Sequence, residues 1–486
     1  LNWNEDRLPT QEAHLTQIDF ESAAEARLVL TNWYERGLIW YAEPNFRSRM
    51  QQQPQPLQNG QLEEQLIQQF DDPDRFPWLN QIDFVEAIQS IDTSQPRETP
   101  VVAVLDSGID VTHPALADRI FENSTGQNKL CLNDLLGCNT TVSKKDMLGN
   151  GEAYPAGTGG YGEVCFEKGN CWHGTHVAGI IAADGGDEYT GICPYCRILN
   201  VKVVDINDDN GNLSFVIQDS AIIAGLAYVS GFTQAGEPLV RVINTSFGKF
   251  QRSRSVELFI RSLTEFGKGV LVVAAAGNED TMKRQYPAAF DEVIAVSNVL
   301  SNDQNPQKSP SSNFGMWVDI AAPGDGRCNP VGELGILSSI PGGSSGCLTG
   351  TSMASPVVAG VAGLLLAVEP DLAYNELRAR IINSGKLTSL YQDGVNDAYR
   401  PTIANQQLIP LLGSGVVNSN FALNPEDQQV PALLDKPNRV SPGCAQVGLT
   451  QAQAAGPGVL WLLGVPLLSL FLGRIWSNIR GRLRSK

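Results

Sequence analysis

A chain of 486 residues, 42% apolar and 18% charged, can build one large core with attachments, which excludes a wholly disordered polypeptide. Its 35 basic residues face 52 acidic ones, a formal net charge of −17, which argues against nucleic acid as a partner because phosphate binding needs clustered Lys and Arg. The four histidines, His14, His113, His173 and His176, nearly exclude a multi-histidine metal site and leave any imidazole-based mechanism a short candidate list.

In chain order, Ala23 to Trp33 reads as helix-like and Gly37 to Tyr41 as strand-like. A spacer rich in Gln and Pro follows, Gln51 to Gly60. From Pro100 the pattern changes. Val101–Leu105, Ile198–Val204, Val240–Ile243, Val270–Ala275 and Val293–Val296 are β-branched runs short enough for buried strands. Val177–Ala183, Ala221–Val229, Val256–Phe266 and Ala354–Val368 read as helices. This alternation predicts an α/β fold with a mostly parallel central sheet flanked by helices on both faces. Beyond Asn424 the composition thins to a stalk, 425–453. Ala454 to Gly473 then runs twenty residues without a charge and leads into Arg474, Arg480, Arg482, Arg484 and Lys486, with no Asp or Glu after Ser441. Such a run is long enough to span a bilayer, so 454–486 is expected to be a transmembrane or sorting segment with a cytoplasmic tail, the acidic body lying outside.

Eight cysteines, Cys131, Cys138, Cys165, Cys171, Cys193, Cys196, Cys328 and Cys347, are candidates for disulfides in an oxidising compartment, with the pairing open; Cys444 is the odd one. The chain starts at Leu1 with no signal peptide, which reads as an export signal removed or never included.

Four residues carry the chemistry of an acyl transfer: a nucleophile, an imidazole base, a carboxylate to orient it and donors for the oxyanion. Asp106 ends the apolar run Val101–Leu105, where α/β proteins place their sites. His173 opens His173-Gly174-Thr175-His176-Val177-Ala178-Gly179, with Gly174 allowing close approach and a helix following. Ser352 lies in Gly350-Thr351-Ser352-Met353-Ala354-Ser355-Pro356 at a helix start, whose free N–H groups can polarise an oxyanion. Asn278 ends another apolar strand and offers a side-chain N–H donor. Taken singly, Asp106 and Asn278 read better as turn residues, Ser352 as a helix cap and His173 as a polar surface or core residue. Their joint occurrence in this order is not.

With these motifs the chain resembles the subtilisin-like serine proteases, or subtilases: VVAVLDSGIDVTHPAL, HGTHVAGIIAA, RVINTSFG, VVAAAGNED and GTSMASPVVAGVAGLLL stand in the family's Asp–His–Asn–Ser order. The resemblance implies that Ser352 is the nucleophile, His173 its base and Asp106 the orienting carboxylate, with Asn278 and the Ser352 N–H in the oxyanion hole. It implies a substrate strand bound along Ser246-Phe247-Gly248 and the loop of Gly211 and Leu213, with Ala275 and Gly277 in the same set. It also implies that residues 1–50 are part of an inhibitory propeptide, short for a complete one. Residues 51–71 are then a linker and 72–424 the catalytic domain. Asp106 and His173 lie 67 positions apart, longer than compact members, and the surplus is a cysteine-containing insertion, 121–172, expected to border the cleft.

Other motifs are set aside. Gly342-Gly343-Ser344-Ser345-Gly346 fits a nucleophile elbow, and Gly157 to Gly162 a dinucleotide loop, without the strand–turn–helix context either needs. Cys193-Pro194-Tyr195-Cys196 precedes a strand, so a structural disulfide is favoured over a thiol oxidoreductase. Asp205, Asn207 and Asp209 alternate as in a calcium loop, but a solvated turn is the preferred reading, with structural Ca2+ the alternative. His113 and His176 are assigned to packing or turns. The expectation is an exported serine endopeptidase (periplasmic, cell-surface or extracellular) acting on proteins or peptides. It needs no cofactor for its chemistry and is autoprocessed. Its tail is either retained in the membrane or removed by a sorting protease. A catalytically silent subtilase-like binding domain is the competing reading.

Overall fold

In a computed structural model, the described residues are 2–4, 17–19 and, with gaps, 61–425, the longest gap being 142–171. The chain divides into two compact units. In one, only the short antiparallel pair Asn2–Asn4 and Gln17–Asp19 is described. Everything below lies in the other, Glu43–Leu433.

Seven parallel strands form its centre. In chain order they are β1 (Val101–Asp106), β2 (Cys138–Asn139), β3 (Arg197–Lys202), β4 (Val240–Thr245), β5 (Leu271–Ala275), β6 (Val293–Ser301) and β7 (Ile320–Cys328), and β8 (Glu333–Leu334) adds an antiparallel edge. The spatial order is β8-β7-β6-β5-β4-β1-β3-β2. β5, and β1 as far as Leu105, are continuously apolar because both faces are covered, and successive side chains point to opposite faces. Val102 and Val104 join one core with the helices His173–Ala182 and Thr351–Val368. Val101, Ala103 and Leu105 join the other with Asp219–Ser230 and Arg254–Glu265. Thr351–Val368 is apolar and long enough to cross a membrane, yet it is buried against the sheet.

β1 is a switch point. From it the chain passes to β2 and β3 on one side and later to β4 on the other, so a crevice opens beyond the carboxyl ends of β1 and β4.

Several expectations are corrected. Residues 61–70, expected to be linker, form the helix Gln61–Phe70, with Leu66 and Phe70 buried in the first core. The run expected as one strand to Val204 breaks at Val203. Its continuation, Val204–Asp209, pairs antiparallel with Asn212–Ile217. Asp205, Asn207 and Asp209 are therefore neither turn nor loop: they face Val216, Ser214 and Asn212 along a ladder. That paired, extended backbone is not the curled turn read from the sequence. The elbow-like glycine motif is the turn and second strand of the hairpin Ile336–Ile340 and Ser344–Leu348. The described part of the insertion lengthens the sheet, since β2 pairs with β3 and Cys131 is bonded to Cys138.

Cys193–Cys196 and Cys328–Cys347 are also disulfides. Cys165 and Cys171, the residues read as propeptide helix and strand, the glycine-rich stretch 157–162, most of the stalk, Cys444 and the 454–486 segment lie outside the described residues.

Candidate active site

Asp106 is the last residue of β1, buried with its strand at the edge of the crevice. Its Oδ1 accepts from the Ser107 N–H at 2.7 Å and from His173 Nδ1 at 2.8 Å. His173 is the first residue of its helix. Close approach depends on Gly174, where a Cβ would lie 2.3 Å from the Gly108 carbonyl oxygen and 3.2 Å from Asp106 Oδ1. The Gly174 N–H is tied to Ser107 Oγ at 3.0 Å, fixing helix to strand. Burial opposes the charged imidazole, but the Asp106 charge and its hydrogen bond outweigh it, so the His173 pKa stands above its ordinary 6.5. With Nδ1 donating to Asp106, Nε2 is the atom left to take a proton. The side chain is 29% exposed, open to the crevice.

His176, three residues on, is the opposite case. It is fully buried, with Nε2 at 2.9 Å from the Ile336 carbonyl and 3.1 Å from that of Gly346, and burial drives its pKa down to about 3. His113 Nε2 likewise lies 2.8 Å from the Ser344 carbonyl oxygen, while its Nδ1 accepts from the Ala115 N–H. Both serve structure.

Across the crevice, Gly350 precedes Thr351–Val368 at φ 131°, a conformation that suits glycine, and turns the chain abruptly into the helix. The first N–H groups of a helix have no internal partner. That of Thr351, with its hydroxyl, donates to Asn278 Oδ1 at 2.9 and 3.0 Å. Asn278 is thereby fixed by its oxygen, and its amide N–H2 has no partner among the described residues; neither has the next helical N–H, that of Ser352.

Pro356 shapes the same turn. Lacking an N–H, it cannot bond the carbonyl of Ser352 four residues back. Ser246 Oγ, just beyond β4, donates to that carbonyl instead at 2.9 Å and also meets Ser355 Oγ at 2.9 Å. Asn244 donates to Ser246 Oγ and accepts from Ser355, both at 3.0 Å. The Ser352 hydroxyl donates to the Ser246 carbonyl at 3.0 Å, and no hydrogen bond joins it to His173 among the described residues.

The fold thus gathers Asp106, His173, Ser352, Asn278, Ser246, Phe247, Gly248, Ala275 and Gly277 around the ends of β1, β4 and β5 and the starts of two helices. Leu213 stands on the hairpin opposite Asp208, and Gly211 lies outside the described residues. Sequence reasoning missed Thr351, Asn244 and Ser355. Signals for them exist: Asn244 is polar within an apolar strand, and Ser355 is one turn from Ser352 on the same helix face.

A carboxylate bonded to an imidazole at the end of β1, and a serine at a helix start, stand on a parallel α/β sheet of the kind serine endopeptidases use. The chain belongs to the subtilase family, whose sequence profile matches residues 97–404. It is 34% identical over 245 residues to subtilisin BL of Lederbergia lenta, covering 50% of this chain and 81% of that protein. It is 31% identical over 285 residues to thermitase of Thermoactinomyces vulgaris, covering 58% and 80% respectively. Among solved structures, proteases from Pseudoalteromonas arctica PAMC 21717 share the fold with a TM-score of 0.52 at 24% identity, covering 72% of this chain and 96% of theirs.

Proposed function

We propose that this enzyme cleaves internal peptide bonds of proteins through Ser352, His173 and Asp106. The Ser352 oxygen attacks the scissile carbonyl while His173 Nε2 takes its proton. Asp106 holds the imidazole in the required tautomer and favours the imidazolium that forms. Asn278 Nδ2 and the Ser352 N–H then meet the tetrahedral oxyanion. His173 returns the proton to the leaving amine, and water hydrolyses the acyl-enzyme by the same steps reversed. The chemistry needs no cofactor. The observation that carries this reading is the 2.8 Å Asp106–His173 bond at the mouth of a crevice whose other wall holds Ser352 at a helix start, with the Asn278 amide anchored to that helix start through its oxygen.

The three disulfides among the described residues favour export. The reading extends to autoprocessing of residues 1–50 and to a C-terminal segment, 454–486, that enters the membrane or is removed by a sorting protease. Casein hydrolysis and intact mass of wild type beside Ser352→Ala test it. Wild type should cut casein and lose an N-terminal piece, and the variant should do neither. Equal activity in both would refute the assignment.

A further inference from the structure

We propose that His176, beyond its part in packing, is a positioning residue: it sets where the base stands relative to the nucleophile by gripping the hairpin that runs into Ser352. The inference rests on Ser352 and His173 acting as nucleophile and base.

The two reacting side chains open separate helices and are anchored apart, His173 on Asp106 and Ser352 on the Ser246 carbonyl. Between the helices lies the hairpin Ile336–Ile340 and Ser344–Leu348, whose second strand ends shortly before Thr351 opens the nucleophile's helix. His176 stands one turn beyond His173 and is fully buried. Its Nε2 lies 2.9 Å from the Ile336 carbonyl on the first strand and 3.1 Å from the Gly346 carbonyl on the second. A neutral imidazole has one N–H, and two carbonyls facing Nε2 place it there. One donor therefore holds both strands.

The hairpin answers with Ser338, whose hydroxyl donates to the His176 carbonyl at 2.9 Å. A further turn along, Gly179 lets the surfaces close, since a Cβ there would collide with Ser338 Oγ. The loop after Asp106 pins the hairpin tip: the Gly342 N–H donates to Asp110 Oδ2 at 2.9 Å, and His113 donates to the Ser344 carbonyl at 2.8 Å. At the other end Cys347 is bridged to Cys328 of β7, and the Gly350 N–H donates to the Gly324 carbonyl at 2.9 Å. Base helix, hairpin and nucleophile turn thus form one bonded series. Removing the His176 donor takes a partner from two carbonyls and frees the helix to shift against the hairpin. A misplacement of about 1 Å at the reacting groups can cost about 10²-fold in rate.

The test uses full-length wild type, His176→Leu and His176→Gln on one peptide substrate, at a temperature where near-UV circular dichroism shows each folded. His176→Leu should lower kcat about 10²-fold and leave KM within about threefold. His176→Gln, whose amide can donate toward the same carbonyls, should recover about tenfold of that loss. In a His173→Ala background no base remains to be placed, so adding His176→Leu should leave the residual rate within about threefold. Should His176→Leu not fold, Ser338→Ala takes its place; it removes only the returning bond and should lower kcat about threefold or more, again without effect in His173→Ala. An unchanged kcat in whichever of these variants is folded overturns the proposal, as does a loss that persists at full size without His173. A wild type no faster than Ser352→Ala overturns the proteolytic reading instead, and this proposal with it.

Discussion

At the end of β1 the His173 imidazole is already clamped on Asp106 at 2.8 Å, whereas across the crevice the Ser352 hydroxyl is turned onto the Ser246 carbonyl at 3.0 Å. The base side is built from a strand end and a helix start locked by Gly174 and Ser107, so its geometry is set by folding. On the nucleophile side the backbone is as firmly held, by Asn278, Thr351 and Ser246, but the reacting oxygen turns about a single bond. The difference teaches that this site fixes its electrostatics in advance and leaves one light group to move.

If that contrast is right, removing the moving group or the base should be equally severe. Ser352→Ala or His173→Ala should each lower kcat about 10⁶-fold, a magnitude known from a subtilisin, and the double variant should be no worse. Additive losses in steady-state rates would break the comparison. Asp106→Asn should lose about 10⁴-fold by releasing the tautomer. Activity requires neutral His173, so the rate should rise with pH through a midpoint above 6.5, and in Asp106→Asn that midpoint should move down. An unmoved midpoint would detach Asp106 from the base.

Asn278→Ala should cost about 10²–10³ in kcat with little change in KM, a figure also taken from a subtilisin. Ser246→Ala sharpens the comparison from the other wall. It leaves the Ser352 carbonyl without the donor that replaces the Pro356 N–H, and should lower stability by about 1–3 kcal/mol in urea unfolding. The smallest effect separates the two neighbouring histidines. Buried His176 binds a proton more readily unfolded than folded, so its contribution falls as pH drops from 6.5 toward about 3. His173 acts oppositely: its raised pKa favours the folded state below 6.5 and that gain fades as pH rises past its folded value. Denaturation midpoints across this range, in wild type and in His173→Ala, would reveal both slopes.

Much of this was legible in the sequence because burial on both faces writes a strand as an unbroken apolar run, as in Val101–Leu105. β7 escaped because Ile320–Cys328 contains Pro323, Gly324 and Gly326, which read as breakers; its ladder with β6 absorbs them with a register shift at Val299 and Leu300. The helix Gln61–Phe70 escaped because Leu62, Leu66 and Phe70 are sparse among glutamines. It is tertiary contact that settles it: Leu66 and Phe70 are buried, and Glu63 accepts from the Tyr195 hydroxyl at 2.6 Å, beside the Cys193–Cys196 bridge. The proposed reacting residues were readable as motifs, while Asn244 acquires meaning only from what packs against it.

The most direct test of the central claim is peptide mapping after reaction with a serine-directed fluorophosphonate. The account predicts a single adduct on Ser352 in wild type, strongly diminished in His173→Ala despite an intact serine. Labelling of another residue, or labelling of Ser352 at the same rate without His173, would contradict it.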